Sequence, residues 1–190
     1  METTLHFRNG HRVTLVDRGA DAAGEYLRLR HHLPAPGREA GRHWHPVLTE
    51  SWTVRHGRVK FRIDGTEILA AEGDSASAPA RSVHEFWTET ADTVLDHEIR
   101  PPLRHWQMFQ LWQALDAAGK TTRAGVPRNP LALALLWDYQ DGYIAGVPAS
   151  LQRIVLGGLS ALARRIGYER RWLPEENTVR PPSCRSKLSR

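Results

Sequence analysis

A single cysteine, Cys184, occurs in the 190 residues, so no disulfide can close within the chain, and a reducing compartment fits that composition. Long apolar stretches are also missing. No run reaches the roughly 18 consecutive apolar residues of a membrane-crossing helix. The opening residues METTLHFRNGH have no basic segment leading into an apolar one, so no secretory leader is read and a cytoplasmic location is expected. Internal repeats and the motifs of known nucleic-acid-binding modules are absent as well. The net charge of +5 and pI near 9.9 raise nucleic acid or an acidic membrane surface as partners. Much of that excess sits at one end, in Arg164, Arg165, Arg170, Arg171, Arg180, Arg185, Lys187 and Arg190. A basic tail explains it, and nucleic acid is not expected as a partner.

What remains is an ordinary globular composition, 41 % hydrophobic and 25 % charged, long enough for one domain with an appendage. Its character changes at Pro101-Pro102. Before that pair, short β-like runs alternate with turn signals: TLHF before Asn9-Gly10, then HRVTLV, EYLRLR, SWTVRHG, VKFRI, TEILA and TVLDHEI. Asp64-Gly65 between two of them is a hairpin signal, because a type I′ turn needs positive φ at both central residues. Many short strands point to a sandwich or barrel. After Pro102 the spacing turns helical. Leu103, Trp106, Phe109, Trp112 and Leu115 recur every third residue up to Gly119. Asn129-Pro130 caps a second segment that runs toward Gly146. A third begins at Pro148 and puts Leu151, Ile154, Val155, Leu159, Leu162 and Ile166 on one face. From Tyr168 the chain is polar, basic and proline-containing, and is expected to be disordered. The divisions are therefore 1–102, 103–167 and 168–190.

The segment GRHWHPVLTESWTVRHG carries the chemistry. Side chains two apart on a strand point the same way, so His43 and His45 share a face and Trp44 takes the other. Imidazoles placed so can grip one Zn, Fe, Cu or Ni ion. Glu50 adds an anionic oxygen if the chain turns after Pro46. A second segment, GDSASAPARSVHEFW, supplies a third imidazole at His84.

These two segments resemble the paired motifs of the cupin superfamily, over roughly residues 8–100. The first reads His43, His45, Glu50 and Gly57. The second reads Gly73, Pro79 and His84, with Arg81 at a glycine position and Thr88 at an asparagine position. The resemblance implies a mainly β fold, the double-stranded β-helix or jelly-roll barrel, here followed by C-terminal α-helices. It also implies one divalent transition metal ion per chain (Fe, Mn, Ni, Cu or Zn) on His43, His45, Glu50 and His84.

Strand parity puts Trp52 and Val54 on the face of Glu50, and Phe86 on that of His84, so Trp52 and Phe86 are expected as pocket walls for a small organic substrate. His97 is a further pocket candidate, as a supporting or acid–base group. Three functions follow: a mononuclear oxygenase or oxidase; a non-redox isomerase, cyclase or lyase; or a ligand-binding module without catalysis. The helices are expected to pack on the barrel or to form a homodimer interface. For residues 149–166 a core-facing helix is favoured, with contact to an anionic membrane surface as the alternative.

Overall fold

The computed structural model describes residues 3–173. The β-like runs become ten strands: β1 (Thr3–His6), β2 (Arg12–Asp21), β3 (Gly24–Leu33), β4 (Gly37–Trp44), β5 (Thr49–His56), β6 (Arg58–Ile63), β7 (Thr66–Ala71), β8 (Ser75–Ala78), β9 (His84–Thr88) and β10 (Thr93–Arg100). The helices are α1 (His105–Ala117), α2 (Pro130–Tyr139), α3 (Ala149–Arg165) and α4 (Tyr168–Trp172), with a short β11 (Tyr143–Ile144) after α2. One antiparallel sheet has the order β1-β2-β3-β10-β5-β8 and the other β11-β4-β9-β6-β7. The molecule is thus the expected jelly-roll barrel with C-terminal helices.

Alternation decides what faces inward. β5 buries Glu50, Trp52 and Val54; β10 buries Thr93, Leu95, His97 and Ile99; β3 buries Leu27, Leu29, His31 and Leu33. His97 is therefore an interior residue. Arg62 points outward, to Glu67 and Glu85. The β6–β7 hairpin turns at Asp64 and Gly65, both at positive φ. Inside the barrel, Trp52, Val54, Val59, Phe61 and Leu95 form one apolar cluster. A second cluster joins barrel to helices, packing Val13, Leu27, Leu29 and Ile99 against Trp106, Phe109, Leu111 and Leu115 of α1 and Leu135 of α2. The change of pattern at Pro101-Pro102 divides secondary structure, while the core runs across it.

Three readings of the helical half need correction. The second segment stops as a helix at Tyr139. Asn129 caps its start, accepting from Leu131 N at 2.8 Å. Beyond Tyr139 the chain turns through Asp141 at φ 48° and Gly142, where a Cβ on Gly142 would lie 2.7 Å from the Trp137 ring. Tyr143 and Ile144 then pair with Trp44 and His43. The third segment is helical but inverted. Gln152, Ser160 and Ala163 are buried, whereas Leu151, Ile154, Val155, Leu162 and Ile166 are exposed, Ile154 by 74 %. Hydrogen bonds set that orientation: the Gln152 amide accepts from Ile144 N and donates to the Ile144 and Val147 carbonyls, all at 2.9 Å. The expected disorder is also displaced, because Tyr168–Trp172 form α4 and Tyr168, Trp172 and Leu173 pack on the second cluster. The rest of that tail, with Cys184, lies outside the described residues.

Gly57 shows how tightly the barrel specifies its corners. It sits at φ 88°, and a Cβ there would lie 2.6 Å from Thr90 Oγ1 and 2.7 Å from Thr93 Oγ1. Those hydroxyls are committed: Thr90 Oγ1 accepts from Arg58 N at 2.9 Å, and Thr93 Oγ1 donates to the Thr90 carbonyl at 2.8 Å. Gly57→Ala is expected to lose roughly 2–4 kcal/mol, from the left-handed backbone and the overpacked corner together. Urea unfolding should show a lower midpoint with an unchanged slope.

Candidate metal centre

The barrel brings together the four residues singled out in the sequence. His43 and His84 are direct partners across the β4–β9 ladder, His45 follows just beyond β4, and Glu50 faces them from β5 in the other sheet. All four are buried, and one ligand atom from each lies within 4.8 Å of the others.

Each imidazole is oriented by its other nitrogen. His43 Nδ1 donates to the Gly41 carbonyl at 2.7 Å, His45 Nδ1 to the Gln140 carbonyl at 2.9 Å and His84 Nδ1 to the Ser82 carbonyl at 3.1 Å. A carbonyl only accepts, so the proton sits on Nδ1 in all three, and each Nε2 turns a lone pair inward. Glu50 Oε2 stands 2.7 Å from His84 Nε2 and 3.2 Å from His45 Nε2, yet all three atoms are buried without a hydrogen bond of proper geometry. Lone pairs converging on a carboxylate repel one another unless a cation lies between them. The donor set fits a divalent transition ion, and His43, His45, His84 and Glu50 would hold it.

The electrostatics agree. Burial works to raise the Glu50 carboxyl, but contacts from His45, His84 and His97 outweigh it and hold the group well below the usual range. Burial pushes His43 down to about 3. Burial also works to lower His84, but Glu50 beside it prevails and moves it upward. The site keeps its carboxylate charged and draws in positive charge.

Two departures from the family motif are accommodated locally. Arg81, at the glycine position, adopts the glycine-like φ of 72°, and its N–H donates to the His45 carbonyl at 2.7 Å. A non-glycine residue there costs on the order of 1 kcal/mol. Thr88, at the asparagine position, donates to the Ala35 carbonyl at 3.1 Å and accepts from Gly37 N at 3.1 Å, tying β9 to the start of β4.

Residues 31–95 match the family model described as Cupin_2, the cupin domain. That stretch, from the end of β3 into β10, is similar to the cupin domain. Among solved structures, the chain is similar to KdgF from Halomonas sp., with 14 % identity and a TM-score of 0.45 over 51 % of this chain and 84 % of that one. An RmlC-like cupin from Shewanella frigidimarina gives 14 % and 0.44, over 52 % of this chain and 84 % of that one. Streptomyces Pac13, described as a unique nucleoside dehydratase, gives 11 % and 0.41 over 53 % and 76 %. No curated protein matches.

His43 and Glu50 of the cluster open onto a cavity of about 670 Å³. Trp52, Phe86 and His97 are among the residues that line it. The helices supply the opposite wall through His105, Met108, Phe109 and Trp112 of α1 and Leu133, Leu136 and Trp137 of α2. Arg38 and Arg42 complete the lining beside His43. The extension reaches the metal ligands themselves, since Gln140 ends α2 and its carbonyl orients His45, while β11 pairs with β4 at His43.

Sequence reasoning missed three interior imidazoles: His11, His31 and His105. Parity along β3, with Leu27, Leu29 and Leu33 inward, carried the signal for His31; nothing local carried one for His11 or His105. Two of them, His31 and His11, continue a chain that starts at His97. His97 Nε2 lies 2.9 Å from Glu50 Oε1, His97 Nδ1 is 3.3 Å from His31 Nε2, and His31 Nδ1 is 3.1 Å from His11 Nε2. His97 Nε2 has no hydrogen bond of proper geometry, like Nε2 of His45 and His84. A proton on His97 Nε2 would set the same choice along the row, making Nε2 the donor in His31 and His11 in turn.

Burial lowers His11 to about 4, with the charge of His32 adding to the effect. An unfolded histidine takes its proton near pH 6.5, whereas folded His11 resists it down to about 4. Its contribution to stability is therefore complete above pH 6.5 and is lost as the pH falls toward 4, by on the order of 3 kcal/mol. His11→Gln keeps a donor but cannot titrate. Denaturant unfolding of both proteins from pH 7 to 4 should show the parent's advantage shrinking by that amount; parallel curves would contradict it.

Proposed function

We propose that this protein is a mononuclear metal enzyme acting on a small, largely apolar organic molecule, with oxygenase or oxidase chemistry as the leading reading. The observation that supports it is the junction of two features: a three-histidine, one-glutamate donor set, oriented and unpartnered, at the end of an aromatic-walled cavity. Four protein ligands leave positions open on a six-coordinate ion. When bound, the ion supplies Lewis-acid polarisation and, if iron, copper or manganese, electron transfer. The chain's own groups do the rest. Trp52, stacked on His97 at 5.2 Å and 5.8 Å from Phe86, offers a flat wall for a planar substrate. The helical wall covers that side of the cavity, and His97 places an imidazole nitrogen 2.9 Å from Glu50 Oε1.

His105 favours the non-redox reading as a second possibility. It is buried, its Nδ1 has no partner, and its Nε2 lies 4.0 Å from Glu50 Oε1. Such an imidazole can pass a proton to or from a carbonyl compound during isomerisation or elimination.

Loading decides between them. The Fe(II) form, screened with enols, phenolics and diketones in an oxygen electrode, should consume oxygen, and His84→Ala should lower the rate at least about 100-fold. If the zinc form turns over without oxygen and His105→Phe slows it about 100-fold or more, the non-redox reading replaces it. Tight binding with no turnover under either loading would leave a ligand-binding module.

A further inference from the structure

We propose that α3 is a docking surface by which the protein lies on anionic membranes. This reading is independent of the metal centre. The helix is built the wrong way round for a solvent-facing element: its polar Gln152 and Ser160 are turned into the protein, while Leu151, Ile154, Val155, Leu162 and Ile166 are exposed along one stripe. Positions 151, 154, 155, 158, 162 and 166 follow the helical repeat, so the stripe is continuous, with Gly158 at its middle. The Gln152 amide is fully used in holding this orientation, with three hydrogen bonds to Ile144 and Val147. A core-facing role for the apolar face is thereby excluded.

Charge selects the occupant. No acidic residue occurs in α3, whereas Arg165 is exposed at the edge of the stripe, and Arg170 and Arg171 follow, exposed, in α4; Arg153, on the other side of the helix, is turned to Tyr143 and Asp141. The nearby acids Asp138 and Glu169 are engaged by Arg164, and Glu169 by Arg104 at 2.8 Å as well. An apolar stripe with Arg165 at its edge and Arg170 and Arg171 beyond its end is complementary to a surface of anionic headgroups. A second copy of the chain would bring like charges together. The five side chains offer on the order of 500 Å², short of the roughly 800 Å² per partner of a stable protein interface. No helix among the described residues is long and apolar enough to cross a membrane, so α3 would lie in the interface plane.

The test is co-sedimentation of the full chain with phosphatidylcholine vesicles, with and without about one-third phosphatidylserine, at low and high salt. The parent should bind the phosphatidylserine vesicles and be released by salt. Ile154→Ser with Leu162→Ser, both at exposed positions, keeps every charge and should weaken binding at least about tenfold while leaving the circular dichroism unchanged. Arg165→Gln with Arg170→Gln should do the same by the other route. Three outcomes would overturn the proposal: a parent that ignores both vesicle types; binding that survives the serine substitutions, which would place it in the basic residues after α4; or a dimer in sedimentation equilibrium that the serine substitutions split, making the stripe a contact between copies.

Discussion

A carbonyl that holds an imidazole's Nδ1 proton decides which nitrogen remains to bind, and here the main chain does so three times, at Gly41, Ser82 and Gln140. Three Nε2 lone pairs are thereby committed to one point, where a carboxylate is already waiting. Such an arrangement is costly in a buried, metal-free interior. Everything that positions it has to be rigid, because an imidazole turned by a few tens of degrees loses the geometry. The barrel meets that requirement with two ladders rather than loops. His43 and His84 are fixed by the register of β4 against β9, and Glu50 by the register of β5 against β10 and β8.

The third carbonyl explains why the helices are part of the site and not an addition to it. Gln140 belongs to the end of α2, and the turn that follows returns the chain to pair with the strand carrying His43. The same helices share a core with β2, β3 and β10 and wall the cavity with Phe109, Trp112 and Trp137. Packing, ligand orientation and water exclusion are thus joined through one connection. The imidazole row from His97 to His11 lies on the opposite side of Glu50, His97 Nε2 standing 2.9 Å from Glu50 Oε1.

Much of this was legible from local patterns. The motif spacings located His43, His45, Glu50 and His84; period-two parity placed Trp52 and Phe86; Asn129-Pro130 and Asp64-Gly65 marked a cap and a turn that the structure contains. Local patterns fail where a distant partner decides. The α3 sequence reads as amphipathic, but periodicity only says that the helix has two faces, not which one the protein covers. That choice fell to the hydrogen bonds of Gln152, a residue with no apolar signal. β11 escaped notice because two residues carry no period, and α4 because Tyr168 and Trp172 are too few to outweigh their basic neighbours. His11 and His105 became neighbours of the site only when the barrel closed.

The central claim is that the converging lone pairs hold a metal ion, and elemental analysis tests it most directly. Protein purified without a histidine tag should carry about one transition metal ion per chain, and the His43→Ala, His84→Ala double variant none. That result would also name the metal with which substrates should be sought. A metal-free parent that refuses Fe(II), Mn(II), Ni(II), Cu(II) and Zn(II) on titration would contradict the account, leaving the cavity as a binding site for an organic ligand alone.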